Sequence, residues 1–389
     1  MLSCPVCAES SSLSLCTVTE MPLIGCQFAP SRHEALSALC GTLDLTLCKQ
    51  CGHIYNRAFE ADRVAYLPGY ENSHEFSQRH RTELNATVDR LIRSYALHDK
   101  SVVELGCGTA EFLAALCAKG GNHGVGYDPA QQNRVSQVGD GSVRVVAEPF
   151  STVTRKPVDV VCSQHVLEHL ADLKSTLSQA RGILKRRGFG YFQVPNGLVI
   201  FRDLNIWDLT YEHVSYFSPA SLHRALSAAG FFVQRLESSF GGQYLDAEAV
   251  VDTATGIAPV TLATYARFCD GFPNAYATVI NHWKERVARV IESNRRIVLW
   301  GAGSKAVSFL NMLAIGTGDG IKYVVDINPR KEGRFIPGTA QRIVSPDFLR
   351  DYAPDIVIVM NHEYTSEIRS SVDSMGLRCD LVMASPTIS

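Results

Sequence analysis

Twice along this chain an apolar run breaks into glycines and passes directly into a helix-like segment, and this pattern restricts the fold more than any other feature. The first instance is the run at 101–106 leading into 111–119; the second is the run at 296–300 leading into 306–313. Further strand-like runs lie at 124–128, 143–146, 158–162 and 190–195, with a helix around 173–184. Others follow at 321–326 and 355–360. Strands alternating with helices at this spacing predict parallel sheets covered on both faces. With 389 residues the chain is too long for one ordinary domain. The reading is a small module over residues 1–60, an α/β unit over 61–255, and a second, smaller α/β unit over 256–389. A helix read over 260–294 opens that last part.

Lysine and arginine number 37 against 39 acidic residues, a formal charge of -2. A nucleic-acid or anionic-membrane binder needs a basic excess or stripe, and this balance supplies neither. No run of about eighteen apolar residues suggests a membrane span. The opening Met-Leu-Ser-Cys-Pro lacks the features of a signal peptide. A cytoplasmic protein with a small-molecule partner, and without a nucleic-acid or membrane partner, is expected; the oligomeric state is not legible. In that reducing compartment cysteines are thiols or metal ligands. Seven of the twelve fall at Cys4, Cys7, Cys16, Cys26, Cys40, Cys48 and Cys51. Cys4-Pro-Val-Cys7 and Cys48-Lys-Gln-Cys51 are two knuckles, each able to turn both thiolates toward one ion. Together they make a tetrahedral four-sulfur site for a structural zinc with no position left for water. A small sheet must fill the long interval between them. Cys16, Cys26, Cys40 and His53 are the possible substitutes.

Glu104-Leu-Gly106-Cys107-Gly108-Thr-Ala110 stands at the first strand-to-helix turn. Glycines there let a ligand approach the backbone, and the helix N-terminus adds positive potential. The spacing resembles motif I of class I S-adenosylmethionine-dependent methyltransferases. That resemblance makes Glu104, Gly106, Cys107 and Gly108 donor-binding residues. It gives Asp128, at the end of the next strand, the ribose hydroxyls, and Gln164, after the fourth strand, the methionine moiety. His165 and His169 are spaced i, i+4, so on a helix they share a face and a metal pair is conceivable. No third ligand is in view, and His169 is read instead as a base or orienting group beside the donor. Tyr211-Glu212-His213 follows the fifth strand over the expected substrate entrance, where a carboxylate beside an imidazole can raise its basicity. Gly301-Ala-Gly303-Ser-Lys-Ala306 with Asp326 is a loose dinucleotide pattern, read here as a doubly wound unit that binds no dinucleotide.

The order of the parts resembles the sugar C-methyltransferases that build branched deoxysugars on nucleotide carriers. The likeness covers nearly the whole chain. It takes in the cysteine knuckles, the Glu104–Ala110 turn, Glu212-His213 with Phe217-Ser218, Gly241-Gly242, the 301–305 turn and Asn361-His362. It implies an α/β protein with an N-terminal zinc module, a Rossmann-like methyltransferase core and a smaller Rossmann-like C-terminal domain. By the same resemblance Tyr70, His169, Glu212 and His213 act around a sugar ketone. The family's tyrosine two residues before the Glu is Thr210 here, with a tyrosine at Tyr211 instead. The segment after the double glycine also departs from the family's usual sequence. The expected reaction is methyl transfer from S-adenosylmethionine to a small, nucleotide-linked keto-sugar: His213 or His169 removes the proton next to the ketone, and the enolate carbon attacks the methyl sulfonium. The rival readings are O- or N-methylation of another natural product or polysaccharide precursor, a zinc-ribbon nucleic-acid binder, and a nicotinamide oxidoreductase using the third part.

Overall fold

The computed structural model describes residues 2–153, 156–252, 256–257 and 269–385. Among them the strands form three sheets, of four, eight and five strands. The first begins with a hairpin of β1 (Ser12–Pro22) and β2 (Cys40–Cys48), whose ladder runs from Ser12 opposite Cys48 to Pro22 opposite Cys40. This hairpin fills the interval between the knuckles and returns the second knuckle beside the first. The short β3 (Ile54–Asn56) pairs with β2.

The central sheet uses β4 (Ser101–Leu105), β5 (His123–Tyr127), β6 (Arg134–Val138), β7 (Gly141–Val146), β8 (Val158–Gln164) and β9 (Leu184–Pro195). After β10 (Ser215–Tyr216), which belongs elsewhere, it is completed by β11 (Phe232–Ser239) and β12 (Tyr244–Val250). The order is β11-β12-β9-β8-β4-β5-β7-β6. The five middle strands, β9-β8-β4-β5-β7, are parallel; β12 and β6 run antiparallel to them at the two flanks, and β11 is antiparallel to β12. The expected parallel sheet is therefore the middle of a mixed one. Strand β6 escapes sequence reading because it is an edge strand, exposed along most of its length, with no apolar face to give it a period. Helices Gln78–Tyr95 and Glu111–Gly120 cover one face, packing Val88, Leu91, Leu113 and Leu116 on the strands. Helices Leu173–Ile183 and Pro219–Ala228 cover the other with Leu173, Leu177, Leu222 and Leu226. Ser77 and Asp172 cap two of these helices, and a Ser218–Ser221 capping box followed by proline starts a third.

In the third unit β13 (Ile297–Trp300), β14 (Ile321–Val325), β15 (Arg342–Val344), β16 (Ile356–Val359) and β17 (Asp380–Met383) lie in the order β15-β14-β13-β16-β17, all parallel. β13 and β16 are apolar and buried throughout, as sheets covered on both faces require. The helix before them runs Phe272–Glu292 and buries Phe272, Val279, Ile280, Trp283 and Val287 on one stripe; residues 258–268, where the sequence reading began it, lie outside the described residues. Trp283 packs on Phe309 with ring centroids 5.2 Å apart, and Trp207 on Phe309 at 4.7 Å. These rings join the first sheet, this helix and the third sheet in one hydrophobic core. Strand β10 pairs with β3, Ser215 opposite Tyr55 and Tyr216 opposite Ile54, so the loop after β9 is tied to the cysteine module. Among the described residues no helix is long and apolar enough to cross a membrane.

Candidate functional site

A cavity of about 700 Å³ runs from the Glu104–Thr109 turn, past the loops after β8 and β9, to the Gly301–Lys305 turn of the third unit. At its first end Gly106 and Gly108 have φ of +57° and +49°, a conformation that favours glycine. A side chain at Gly106 would also meet the Val166 methyl at 2.3 Å, whereas one at Gly108 would meet nothing within 4 Å. The first glycine is held tight by packing and the second leaves the backbone bare toward the cavity. Asp128, just past β5, accepts from the Gly108 amide at 2.8 Å and from the Ala130 amide at 2.9 Å. Each oxygen keeps a free acceptor direction. Glu104 is buried, its Oε2 without a hydrogen-bond partner among the described residues, and burial, aided by Asp128, pushes its pKa well up. A ligand donating to that oxygen would relieve the cost. Cys107 and Gln164 also line the cavity, with Gln164 donating to Gln193 at 3.4 Å. Phe150 and Tyr127, which sequence reading did not single out, face each other edge to face at 6.1 Å beside the turn. An adenosyl sulfonium ligand fits this set: bare backbone at the turn, a carboxylate pair, and aromatic walls.

The middle of the cavity gathers titratable groups from distant parts of the chain. Glu212 is buried; its Oε1 accepts from the Gly25 amide at 2.9 Å and its Oε2 from the Tyr70 hydroxyl at 3.2 Å. Burial raises its pKa above the ordinary carboxyl value. His169 Nδ1 bonds the Tyr66 hydroxyl at 2.7 Å and lies 3.7 Å from Glu212 Oε2. His213 packs edge to face on His169, centroids 4.8 Å apart. Burial, and then His169, pulls the pKa of His213 down to about 3, so it is a neutral imidazole at physiological pH. Burial and Glu212 push the phenols of Tyr66 and Tyr70 well up, keeping them protonated donors. The structure thus brings Tyr70, His169, Glu212 and His213 together, and adds Tyr66, which no local motif marks. Tyr211 is placed elsewhere: its hydroxyl accepts from the Glu60 amide at 3.1 Å, its ring lies 5.6 Å from Phe59, and it does not line the cavity. Peptide geometry explains the separation, since the Tyr211 side chain enters the first sheet's core while its neighbour Glu212 faces the cavity. His165 and His169 are likewise not on an α-helix. Residues Leu167–His169 form one 3₁₀ turn, and His165, at φ +54°, turns its ring onto Tyr244.

At the far end Asp326 repeats the role of Asp128. Its Oδ2 accepts from the Ala302 amide at 2.8 Å and its Oδ1 from the Asn328 amide at 2.8 Å. Here the carboxylate is also paired with the buried Lys331 ammonium at 3.1 Å. A dinucleotide ribose needs that carboxylate free, which argues against the oxidoreductase reading.

The four knuckle sulfurs lie within 4.8 Å of one another, with Cys4–Cys51 and Cys7–Cys48 each at 3.5 Å. Zinc–sulfur bonds of about 2.3 Å in a tetrahedron set sulfurs roughly 3.8 Å apart, so the donor set suits zinc. Thiols this close cannot all ionise without a cation. The hydrogen bond from Cys51 holds Cys4 down to about 6, and the same contact drives Cys51 far up. Cys16, Cys26, Cys40 and His53 lie outside this cluster.

Residues 76–236 match the family described as a methyltransferase domain, and residues 250–382 the family described as a C-methyltransferase C-terminal domain. The C-methyltransferase NovU of Streptomyces niveus is 23% identical over 393 residues, covering 94% of this chain and 90% of that protein. The ubiquinone biosynthesis O-methyltransferase of Yersinia enterocolitica is 29% identical over 129 residues, 31% of this chain and 53% of that one. Among solved structures, the magnesium protoporphyrin IX methyltransferase of Synechocystis with bound S-adenosylhomocysteine aligns at 19% identity and a TM-score of 0.36, over 49% of this chain and 93% of that one.

Proposed function

We propose that this chain, an S-adenosylmethionine-dependent methyltransferase with a C-methyltransferase C-terminal domain, places a methyl group on the carbon beside the ketone of a small, nucleotide-linked sugar. One observation carries the reading: a single cavity joins the Gly106–Asp128 end, the Tyr66–Tyr70–His169–Glu212–His213 cluster and the glycine turn of the third unit. Such a cavity has a place for the donor, the reacting ring and a carrier group, in that order.

Glu104, Gly106, Cys107, Gly108, Asp128 and Gln164 hold the donor, which when bound supplies an electrophilic methyl on sulfur. His213 or His169 takes the proton from the carbon next to the ketone, and the C–H electron pair passes into the enolate. Tyr66 and Tyr70, protonated phenols in a buried pocket, donate to the enolate oxygen. Glu212, 3.7 Å from His169, stabilises the imidazolium that forms. The N-terminus of the helix Ser304–Met312, which borders the far end of the cavity, suits a diphosphate there. Cys4, Cys7, Cys48 and Cys51 hold a structural zinc that fixes the first sheet, and through β10 the loop bearing Glu212.

The test uses a panel of nucleotide-linked keto-sugars with a ¹³C-methyl donor. The expected product carries the label on carbon, and in heavy water with S-adenosylhomocysteine the proton beside the ketone should exchange. A label on oxygen or nitrogen would overturn the carbon assignment.

A further inference from the structure

Three polar side chains stand in one row across the central sheet, on the face that helix Gln78–Tyr95 covers. Gln164 on β8 is opposite Gln193 on β9, and Gln193 is opposite Asp246 on β12. Gln164 lines the cavity at its donor end, whereas Gln193 and Asp246 are only 7% and 5% exposed. The same face carries the apolar core of Val160, Cys162 and Phe189 with Val88 and Leu91. Polar groups buried there need hydrogen bonds, and in this row the bonds all run one way. Gln193 Nε2 donates to Asp246 Oδ1 at 2.8 Å and to the Tyr191 hydroxyl at 3.2 Å. Its Oε1 accepts from Gln164 Nε2 at 3.4 Å.

A carboxylamide has nearly the same shape either way round, so the group at the end of the row decides its direction. The Asp246 carboxylate only accepts. Arg90, from the covering helix, stands 3.6 Å from its Oδ2, and the Ser239 hydroxyl donates to its Oδ1 at 2.8 Å. Gln193 must therefore give its NH₂ to Asp246 and its oxygen to Gln164. Gln164 must give its own NH₂ to Gln193, which leaves its oxygen for the cavity. We infer that Asp246 is a positioning residue for the methyl donor: through Gln193 it fixes the Gln164 amide with its oxygen toward the donor's methionine ammonium. An ammonium can only donate, so the opposite orientation would set N–H against N–H. The inference rests on the assignment of the methionine moiety to Gln164 above. Asp246→Asn inverts the row. Arg90 can only donate and keeps the Asn oxygen on its side, so the Asn NH₂ faces Gln193. Gln193 then turns its oxygen to that NH₂, and Gln164 shows its NH₂ to the cavity.

The test measures two ligands by isothermal calorimetry on the full-length chain. S-Adenosylhomocysteine carries the ammonium; 5′-methylthioadenosine has the adenosine and sulfur but no amino-acid portion. Asp246→Asn should weaken S-adenosylhomocysteine about tenfold or more and 5′-methylthioadenosine by less than about twofold, since one charge-assisted hydrogen bond is lost. Gln164→Ala should show the same selectivity. Gln164→Glu alone sets a carboxylate against the Gln193 oxygen and should also weaken S-adenosylhomocysteine. Combined with Asp246→Asn, the inverted Gln193 donates to the new carboxylate, and affinity should return to within about threefold of the parent. Equal loss of both ligands in Asp246→Asn, no loss in that variant, or losses that simply add in the double variant would each overturn the inference. A loss in Gln164→Ala without one in Asp246→Asn defeats the relay alone. Parent-like S-adenosylhomocysteine binding in Gln164→Ala defeats the methionine assignment, and the relay with it.

Discussion

Replacing Asp128 by Ala removes an acceptor that serves two purposes, and the structure allows the two to be separated. Within the protein the carboxylate holds the Gly108 and Ala130 amides, at 2.8 and 2.9 Å. Both sit in a half-buried turn facing the cavity, so water can take over much of that bonding in the variant. The folded chain should survive, with a modest fall in melting temperature. In the proposed reading the carboxylate offers its remaining acceptor directions to the donor's ribose hydroxyls. A hydrogen bond to a charged group contributes about 1.5–3 kcal/mol, and about 1.4 kcal/mol is tenfold in affinity. The dissociation constant for S-adenosylhomocysteine should therefore rise roughly tenfold to a hundredfold in isothermal calorimetry. Asp128→Asn keeps an oxygen for one amide but loses the charge, and should fall between Ala and the parent. If the Ala variant binds within about threefold of the parent, Asp128 only locks the turn and the ribose assignment fails.

His213→Asn should cut single-turnover rates by about 10²–10⁴-fold while leaving S-adenosylhomocysteine affinity nearly unchanged; turnover within about threefold of the parent would remove His213 from the chemistry. One equivalent of zinc per chain is expected by elemental analysis, and Cys48→Ser should lose it and lower the melting temperature more than it weakens donor binding. Burial, and then His165, holds His80 down to about 4, against about 6.5 in the unfolded chain. Between those values the unfolded state binds more protons, so this contribution is complete above about pH 6.5 and is lost toward pH 4, at no more than about 1.4 kcal/mol per pH unit. Denaturant unfolding at pH 7 and pH 5 should show the loss, and His80→Gln should shrink it; an unchanged difference would assign the acid sensitivity to other groups.

What could be read from the sequence was chemistry carried by short, fixed spacings. The two knuckles place their sulfurs by local turns, and the hairpin only has to bring them together. The Glu104–Ala110 turn has its glycines because the backbone there adopts positive φ, a demand visible residue by residue. The middle strands β4, β8 and β9 carry mostly buried, largely apolar runs, with an α-helix after β4 and another between β8 and β9. The illegible parts depend on partners far apart in the chain. Tyr66 meets His169 across 103 residues and the Gly25 amide meets Glu212 across 187, and neither residue sits in a motif. Glu168 stands in sequence between His165 and His169, yet that both imidazoles lie within 4 Å of its buried carboxylate is a property of the packed interior. Tyr211 shows the converse error: adjacency to Glu212 suggested a shared task, but consecutive side chains in that loop point to different layers. Strand β10 is two residues long, too short for any period.

That two-residue strand has a consequence for how the molecule can be taken apart. Glu212 stands three residues before Ser215, and Ser215 and Tyr216 are hydrogen-bonded to β3, while the Gly25 amide grips the Glu212 carboxylate from the same module. The loop bearing Glu212 is thus half owned by the cysteine module. Cutting the chain near residue 60 would yield a core that still has its donor turn but whose loop has lost both its neighbouring strand and its anchor. Such a fragment should bind S-adenosylhomocysteine and do little else. Grafting this module onto a related core, likewise, would transplant the partners of Glu212 and β10 with it.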